Sequence, residues 1–410
     1  MIPGASSMAS RASQRGVSLI ELMVAITIAM LVTLGLIQIF GASRASSQMQ
    51  EGLSRVQENG RFITQQMQRQ FRMVGFSGCA ADSERVKNDT SVNHMLDVGT
   101  GAVASEYRFQ RPVEGFTVGT STTPTELADD AGNMIDDNDA LVLRTVGELG
   151  VPVFSRRLDG NNLVVTIPST VHSPEVIAAA GDPAIYALEN CVRADFFEGS
   201  ISSGQLTANG LGGLNVYDPA DGGPWSAFAA GKSLLDTLVA NGTIGGVSVA
   251  PSRELDYELH RAEYVAFYIK NNAEGVPSLY MRRFERTGTP TALGAAEELV
   301  AGVDGMQLRF GFDDSAAIDG TVDEFLTTEE VIGAATTEAD KDARWRRVLS
   351  IRVALLLRSE QRAGVSGTEA DGSTARSFDL LGVTVTPPDD GRMRQVYETT
   401  IAVRNRIFNS

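Results

Sequence analysis

The residue with the clearest chemical consequence in this sequence is Glu21. It is the only charged residue in the apolar run over residues 17–40, VSLIELMVAITIAMLVTLGLIQIF. A carboxylate deep in an apolar membrane helix costs about 2.5–3.5 kcal/mol, and such a residue is a functional candidate by default. A shallow position near the membrane interface is the alternative, since Glu21 lies near the start of the run. The chemistry it offers is charge pairing with a cation of a neighbouring chain, and removing one partner of a buried pair is costly.

The other reactive residue types do not form a recognisable catalytic or metal-ligating pattern. His94, His172 and His260 lack metal-ligand spacing and are each expected to be surface or core histidines. The acidic stretches 136–139 and 313–314 could attract Ca²⁺, but neither has the spacing of an EF-hand loop, and solvated turns are favoured. The sequence therefore predicts no catalytic residue, no cofactor and no metal site, and the protein is expected not to be an enzyme.

The two cysteines, Cys79 and Cys191, both follow the apolar run. If this part of the chain is exported to an oxidising compartment, a disulfide between them is expected. Two separate buried thiols are the alternative.

The apolar run is long enough to cross a membrane. As a helix it would measure about 36 Å at ~1.5 Å per residue, against a hydrocarbon core of about 30 Å. The leader, residues 1–16, contains Arg11 and Arg15 and no acid, which favours a cytoplasmic N-terminus and a periplasmic or external remainder. A plain signal anchor, or a secretory signal cut near residues 42–45, is the alternative. The run is longer than a secretory h-region, and neither alternative explains Glu21.

The helix is predicted to continue beyond the membrane over residues 41–74. Its apolar residues recur close to the i, i+4, i+7 spacing of one helical face, and they are Met49, Leu53, Val56, Ile63, Met67, Phe71 and Val74. One helix from about residue 18 to residue 74 is expected, with half in the membrane and half packed on a globular domain. Gly75 and Gly78 mark its predicted end.

The remainder of the chain is predicted to be rich in β-strands. Alternating or β-branched runs occur at 140–144, 163–167, 263–269, 278–284, 306–312, 348–357 and 397–403, many of them joined by turns rich in Gly, Asn and Asp. The predicted fold class is α+β, with an antiparallel sheet packed on the long helix. The Lys+Arg total of 35 against an Asp+Glu total of 51 gives a net charge of −16, which disfavours non-specific binding to nucleic acid.

The N-terminal segment from Arg15 to Ala25, RGVSLIELMVA, resembles the class III signal of type IV prepilins and pseudopilins. The resemblance implies that prepilin peptidase cuts after Gly16 and that Val17 is N-methylated. It also implies that Glu21 docks subunits, its carboxylate lying beside a neighbour's Val17 ammonium. The family usually has Phe at the new first position, and this chain has Val.

Later segments resemble the PilW family of minor pilins, together covering roughly residues 15–80 and 262–408. They are Glu58–Phe62, Arg72–Cys79, Glu298–Gln307, Ser350–Leu357 and Thr399–Arg406. Many major pilins have a proline in the membrane half of the helix and paired cysteines near the C-terminus. This chain has neither, which argues against a major structural subunit.

The resemblance implies a minor pilin that acts in pilus assembly initiation or in the tip complex. Its expected partners are other minor pilins, the major pilin, prepilin peptidase, the inner-membrane assembly platform and membrane lipid. It would lie in the inner membrane with a periplasmic C-terminal domain, then in the filament at the cell surface. The alternatives are a J-type minor pseudopilin of type II secretion, a tip adhesin that binds through its middle region, and, least favoured, a membrane-tethered enzyme.

The segments and resemblances together predict five regions. They are a leader peptide (1–16), the transmembrane half of the helix (17–40), its amphipathic half (41–75), a variable β-rich region (76–260) and a C-terminal β-rich pilin-like region (261–410).

Overall fold

The computed structural model describes most of the long helix and most of the predicted sheet. The described residues are 18–76, 92–94, 108–109, 111–120, 127, 130, 132–147, 149–159, 162–168, 178, 181–189, 194–208, 243–244, 247–248, 257–283, 294–316, 318–362 and 376–403. Gly16, Val17, Cys79 and Cys191 lie outside these ranges, so cleavage, N-methylation and the disulfide remain predictions.

The long helix α1 spans Leu19–Met73, which confirms the predicted helix over 18–74. Ser18 precedes it in an extended conformation, as an N-cap residue does. At the other end, Val74 is extended and Gly75 has a φ of 72°. Glycine adopts this left-handed conformation at low cost, so the chain can turn away from the helix axis here.

The rest of the described chain is mainly β-strand. The strands are β1 (Val92–His94), β2 (Val113–Thr117), β3 (Asp139–Val146), β4 (Val151–Pro152), β5 (Ser155–Asp159), β6 (Asn162–Thr166), β7 (Pro183–Glu189), β8 (Ala194–Ser202), β9 (Gln205–Ala208), β10 (Thr243–Ile244), β11 (Val247–Ser248), β12 (Glu258–Asn271), β13 (Pro277–Arg283), β14 (Ala296–Ala301), β15 (Val303–Phe312), β16 (Glu324–Leu326), β17 (Val348–Arg362), β18 (Phe378–Leu380), β19 (Val383–Val385) and β20 (Arg392–Ala402). Two short helices, α2 (Thr328–Ile332) and α3 (Glu338–Trp345), lie between β16 and β17. The runs predicted as strands all overlap strands of this list; residues 167 and 403 lie one position beyond β6 and β20, and residue 284 lies outside the described residues.

The larger sheet is organised around β12. Among the described residues, twelve strands form it, and its main order is β14-β13-β12-β7-β8-β9-β6-β5. Residues 258–261 of β12 pair with β7, while residues 262–267 pair with β3 and residues 265–271 with β13. One strand therefore joins the middle of the chain to its C-terminal region. Pairing is antiparallel except where β1 runs parallel to β8.

The smaller sheet has the order β16-β15-β17-β20, with antiparallel pairing throughout. Helix α1 packs mainly on β17 and β20, with further contacts to β3 and β14. The long helix on largely antiparallel sheets confirms the predicted α+β class.

The main core lies between α1 and the two sheets. The helix contributes Val56, Ile63, Met67, Phe71 and Val74, all buried, which is the stripe that the periodicity predicted. Met49 and Leu53, the first two residues of that predicted stripe, are instead 40% and 36% exposed. At this level α1 still contacts the end of β17 through Gly52 and Arg55, but this contact does not bury Met49 and Leu53.

The middle strands have an apolar core of their own. It is formed by side chains of β4, β6, β7, β8, β9 and the first residues of β12, among them Val165, Tyr186, Leu188, Phe197 and Leu206. This core is separate from the one under α1.

The acidic stretch 136–139 is the predicted solvated turn only in its first half: Asp136 and Asp137 form an exposed turn, whereas Asn138 and Asp139 are buried. Asn138 Oδ1 accepts a hydrogen bond from Met306 N, and Asp139 Oδ2 accepts one from Leu308 N, both at 2.8 Å. These backbone groups belong to β15, whose N–H groups need acceptors when no strand lies beside them. The turn thus links β3 to β15.

The prediction of a solvated turn at 313–314 is also wrong for Asp313, which is fully buried. Its carboxylate accepts hydrogen bonds from the backbone N–H groups of Ser315, Asp319 and Gly320. The side chain therefore organises the loop that follows β15.

Candidate functional site

The first half of α1 is exposed along its whole circumference. The large apolar side chains of residues 19–40 are each between 49% and 75% exposed, and they are Leu19, Ile20, Leu22, Met23, Val24, Ile26, Ile28, Met30, Leu31, Val32, Leu34, Leu36, Ile37, Ile39 and Phe40. In the described part of the chain, α1 is the one helix long and apolar enough to cross a membrane. A helix that is apolar all round needs lipid or other helices around it.

The hydroxyl groups in this exposed half bond to its own backbone. Thr27 Oγ1 donates to Val24 O at 2.8 Å, and Thr33 Oγ1 donates to Ala29 O at 2.7 Å. Such local bonds let threonine enter an apolar environment without leaving a donor unpaired. The helix is therefore compatible with a lipid surrounding at both positions.

Glu21 lies in the first turn of α1, where its side chain is exposed. Its Oε2 accepts a hydrogen bond from the backbone N–H of Ser18 at 3.4 Å. This is half of a capping box, and a carboxylate at a helix N-terminus also interacts favourably with the helix dipole. The bond is long and solvent-facing, so the carboxylate stays available to a stronger cationic partner.

Two glycines let the second half of α1 approach the smaller sheet closely. A Cβ at Gly60 would lie 2.6 Å from Tyr397 Cε1, and one at Gly52 would lie 3.3 Å from Ser359 Cβ. Nearby, Arg55 bonds Glu51 within the helix and Glu360 on β17. These contacts fix the second half of α1 to the smaller sheet. The exposed first half continues the same helix beyond the sheets.

The globular part pairs its buried charges internally. The Arg111 guanidinium contacts Glu114, Asp342 and Glu338, with 2.8 Å from its Nε to Asp342 Oδ1. Burial alone would lower the pKa of Arg111, but the Glu114 and Asp342 carboxylates raise it above its usual value. This network joins β2 to α3 and therefore has a structural role.

His260 is the predicted core or surface histidine whose side chain the structure describes, and it is buried. His260 Nε2 lies 2.9 Å from Glu189 Oε1 and 3.4 Å from Glu258 Oε2. Burial alone would lower the pKa of His260, but Glu189, the Gly147 carbonyl and Glu258 raise it above its usual value. Sequence reasoning missed this cluster. Part of it could have been found from the sequence. Glu258 and His260 are two residues apart, and alternate residues of a strand lie on the same face.

Comparisons with known proteins agree with the two regions that carried the resemblance. Residues 266–405 match the family described as Type IV Pilus-assembly protein W, and residues 11–37 match the prokaryotic N-terminal methylation motif. No curated protein matches the chain. Among solved structures, the chain is similar to a type IV-like pilin from Thermus thermophilus, with 12% identity and a TM-score of 0.20. That alignment covers 36% of this chain and 70% of the other.

The methylation motif includes Gly16, Val17 and Glu21, and the family match includes β13, β15, β17 and β20. The exposed apolar half of α1 thus coincides with the motif, and the sheet on which its second half packs coincides with the family region. The chain therefore carries a prokaryotic N-terminal methylation motif at the start of α1 and a C-terminal region similar to the Type IV Pilus-assembly protein W family.

Proposed function

We propose that this chain is a minor pilin that acts in the initiation or tip complex of a type IV pilus. Prepilin peptidase would cut it after Gly16 and N-methylate Val17. The observation that carries the proposal is the two-part helix α1. Its apolar half is bare and bears Glu21, while its second half is fixed to a large globular part.

Glu21 would dock the subunit in the filament. After cleavage, Val17 carries the new α-ammonium group one residue before the N-cap Ser18. In a stack of parallel helices, the ammonium of one subunit can approach the Glu21 carboxylate of its neighbour. The long bond from Ser18 N would be exchanged for a charged pair in an apolar surrounding, where such pairs are strong when both partners are present.

The size of the globular part favours a tip position over a position in the shaft. The described strands of the middle region add a second core to the one under α1, and this bulk would crowd a helical stack. The proposed partners are other minor pilins, the major pilin and the inner-membrane assembly platform, with lipid around residues 17–40 before assembly. The globular part would face the periplasm and later the cell surface.

A disulfide between Cys79 and Cys191 remains part of the proposal. Phe76 and Glu189, which lie three and two residues before these cysteines, both contact His260. The chain segments that lead to the two cysteines therefore start from neighbouring positions. In an oxidising compartment, this proximity favours a bridge.

The intact mass of the protein extracted from membranes tests the processing. With active prepilin peptidase, the mass should fall by that of residues 1–16 and rise by one methyl group. Without the peptidase, the full mass should remain. A cut near residue 45, or an uncut chain in the presence of the peptidase, would refute the processing step.

The variant Glu21→Gln tests docking. It removes the charge but keeps the shape, and breaking a buried pair costs roughly 3–5 kcal/mol. We expect incorporation into sheared filaments to fall at least about 100-fold, with cleavage and membrane level unchanged. Glu51→Gln is the matched control, because Glu51 lies on the same helix, is exposed and pairs with Arg55 of its own chain. Equal incorporation of Glu21→Gln and Glu51→Gln would contradict the docking role.

Site-specific photo-crosslinking at Ile28, in the exposed half of α1, identifies the neighbours. Adducts with other minor pilins and the major pilin support the pilus assignment. Adducts with secretion pseudopilins alone would instead assign the chain to a type II secretion pseudopilus.

A further inference from the structure

A cluster of one imidazole and two carboxylates lies where β12, β7 and the end of α1 meet. Its members are His260 and Glu258 on β12 and Glu189 at the end of β7. One ligand atom from each side chain lies within 4.8 Å of the other two. Phe76, just after α1, packs its ring edge against His260 with 6.3 Å between ring centroids.

The strand register places two negative charges directly opposite each other. Glu258 and Glu189 are paired residues of the antiparallel strands β12 and β7. Like charges in this position are destabilising. Water solvates the Glu258 carboxylate, but Glu189 is only 3% exposed, so its buried charge requires a compensating positive charge.

The histidine is oriented as a ligand. His260 Nδ1 lies 2.8 Å from the carbonyl oxygen of Gly147, and since a carbonyl only accepts, Nδ1 must carry the proton. In the neutral ring, this leaves the lone pair on Nε2, which faces the two carboxylates. A second hydrogen bond of this type is the usual support for a metal-ligating imidazole.

An ion pair between protonated His260 and Glu189 does not satisfy the cluster. Such a pair would engage Glu189 Oε1, which lies 2.9 Å from His260 Nε2, but the buried Glu189 Oε2 has no hydrogen-bond partner within the described ranges. The charge balance is also incomplete, because one imidazolium against two carboxylates leaves one negative charge. A divalent cation with a neutral imidazole balances both carboxylates.

We propose that Glu189, Glu258 and His260 bind a divalent transition-metal ion, with Zn²⁺ as the best fit. Bonds of about 2.0–2.2 Å at tetrahedral angles place neighbouring ligand atoms about 3.4 Å apart. The distances from Nε2 to the two carboxylates, 2.9 and 3.4 Å, are close to this. The imidazole disfavours Ca²⁺ and Mg²⁺, which take oxygen ligands, and the carboxylates disfavour Cu(I), which takes soft sulfur ligands.

Solvent reaches the cluster from the side of Glu258, whose side chain is 58% exposed. Gly150 lies next to this opening. A Cβ on Gly150 would lie 2.5 Å from His260 Nε2 and 2.7 Å from Glu258 Oε2. The glycine thus keeps open the space beside the two ligand atoms. The bound ion would join the end of β7 to the start of β12.

The test is zinc binding by the full-length, tag-free protein in detergent, first stripped with EDTA and then dialysed against ZnCl₂. We expect one zinc per chain by elemental mass spectrometry and a rise in thermal unfolding temperature that EDTA reverses. CaCl₂ should produce neither effect. A chain that takes up no zinc beyond the level of a blank protein would overturn the proposal and leave an ion pair only.

Three variants locate the zinc. Glu258→Gln removes the exposed ligand with little risk to folding, and Glu189→Gln removes the buried one. Gly150→Ala keeps all three ligands but fills the space beside them. Each of the three variants should weaken zinc binding by more than about 10-fold. Loss of a residue that only supports a metal ligand typically costs about 10–100-fold in affinity. Glu297→Gln, at an exposed carboxylate of β14, is the control.

The outcome with Glu258→Gln decides the proposal if Glu189→Gln fails to fold. Zinc binding that is equal in Glu258→Gln, Gly150→Ala and the Glu297→Gln control would place the ion elsewhere and refute this site. The assay needs no filament, so its result is independent of the proposed pilin function.

Discussion

The two halves of α1 have the same secondary structure and opposite surroundings. In residues 19–40, apolar side chains point outward on every side and are exposed. In residues 56–74, a single apolar stripe is buried under two sheets. The apolar side chains of the second half are buried by their own chain. Those of the first half require lipid or other helices around them.

The same contrast holds for charge. Arg111 in the globular part contacts three carboxylates of its own chain. Glu21 in the exposed half has a long hydrogen bond to the backbone of its own first turn. The apolar and charged groups of one region are satisfied by its own fold, whereas those of the other are not, and changes in the two regions should therefore have different consequences.

The largest expected effect on stability comes from Phe71→Ala. Phe71 is fully buried in the core under α1, and truncating a buried phenylalanine costs about 3–5 kcal/mol. We expect that loss in the free energy of unfolding, measured by urea titration of the protein in detergent and followed by tryptophan fluorescence.

Phe40→Ala is the control for that measurement, because Phe40 lies on the same helix and is 72% exposed. It should leave the urea midpoint unchanged. Similar losses for Phe71→Ala and Phe40→Ala would contradict the division of α1 into a packed half and a bare half.

Local patterns in the sequence predicted much of this architecture. The spacing of apolar residues predicted α1 to within one residue at each end, because helix periodicity is a local property ended here by Gly75. Strand positions were predicted for the same reason, since alternation and β-branched runs are local. The buried stripe of α1 begins at Val56 because of how far the sheets extend along the helix. The local sequence pattern gives no information about that extent.

Pairing between distant strands could not be predicted. Glu189 meets His260 and Glu258 because β7 pairs with the first residues of β12, and a single sequence does not specify register. Asn138 and Asp139 were expected in a solvated turn because their residue types are common there. They are buried because β15 offers backbone N–H groups that need acceptors.

A smaller effect is expected from Gly60→Ala, whose Cβ would press on the ring of Tyr397 at 2.6 Å. Overpacking of this kind costs typically about 1–3 kcal/mol, more than the gain of up to about 1 kcal/mol that alanine brings to a helix. We expect a lower thermal unfolding temperature by calorimetry.

Gly41→Ala is the matched control, since a Cβ there meets nothing within 4 Å. It should leave the unfolding temperature unchanged or slightly higher. A stabilised Gly60→Ala would show that Tyr397 moves aside freely and that α1 is not held closely against β20.

The smallest effect concerns Glu338, which pairs with Arg111. Burial alone would raise the pKa of Glu338, but hydrogen bonds from Lys341 and Arg111 and the charge of Arg108 lower it from 4.5 to about 2. A lowered folded-state pKa contributes stability above the unfolded pKa and loses it as the pH falls from about 4.5 to 2. Because Glu338 is 46% exposed, water screens the pair and the contribution stays at about 1 kcal/mol or less. Urea titrations should therefore separate the wild-type protein from Glu338→Gln at pH 7 and bring them together near pH 2. A difference that persists at pH 2 would mean that Glu338 stabilises the fold through packing rather than charge.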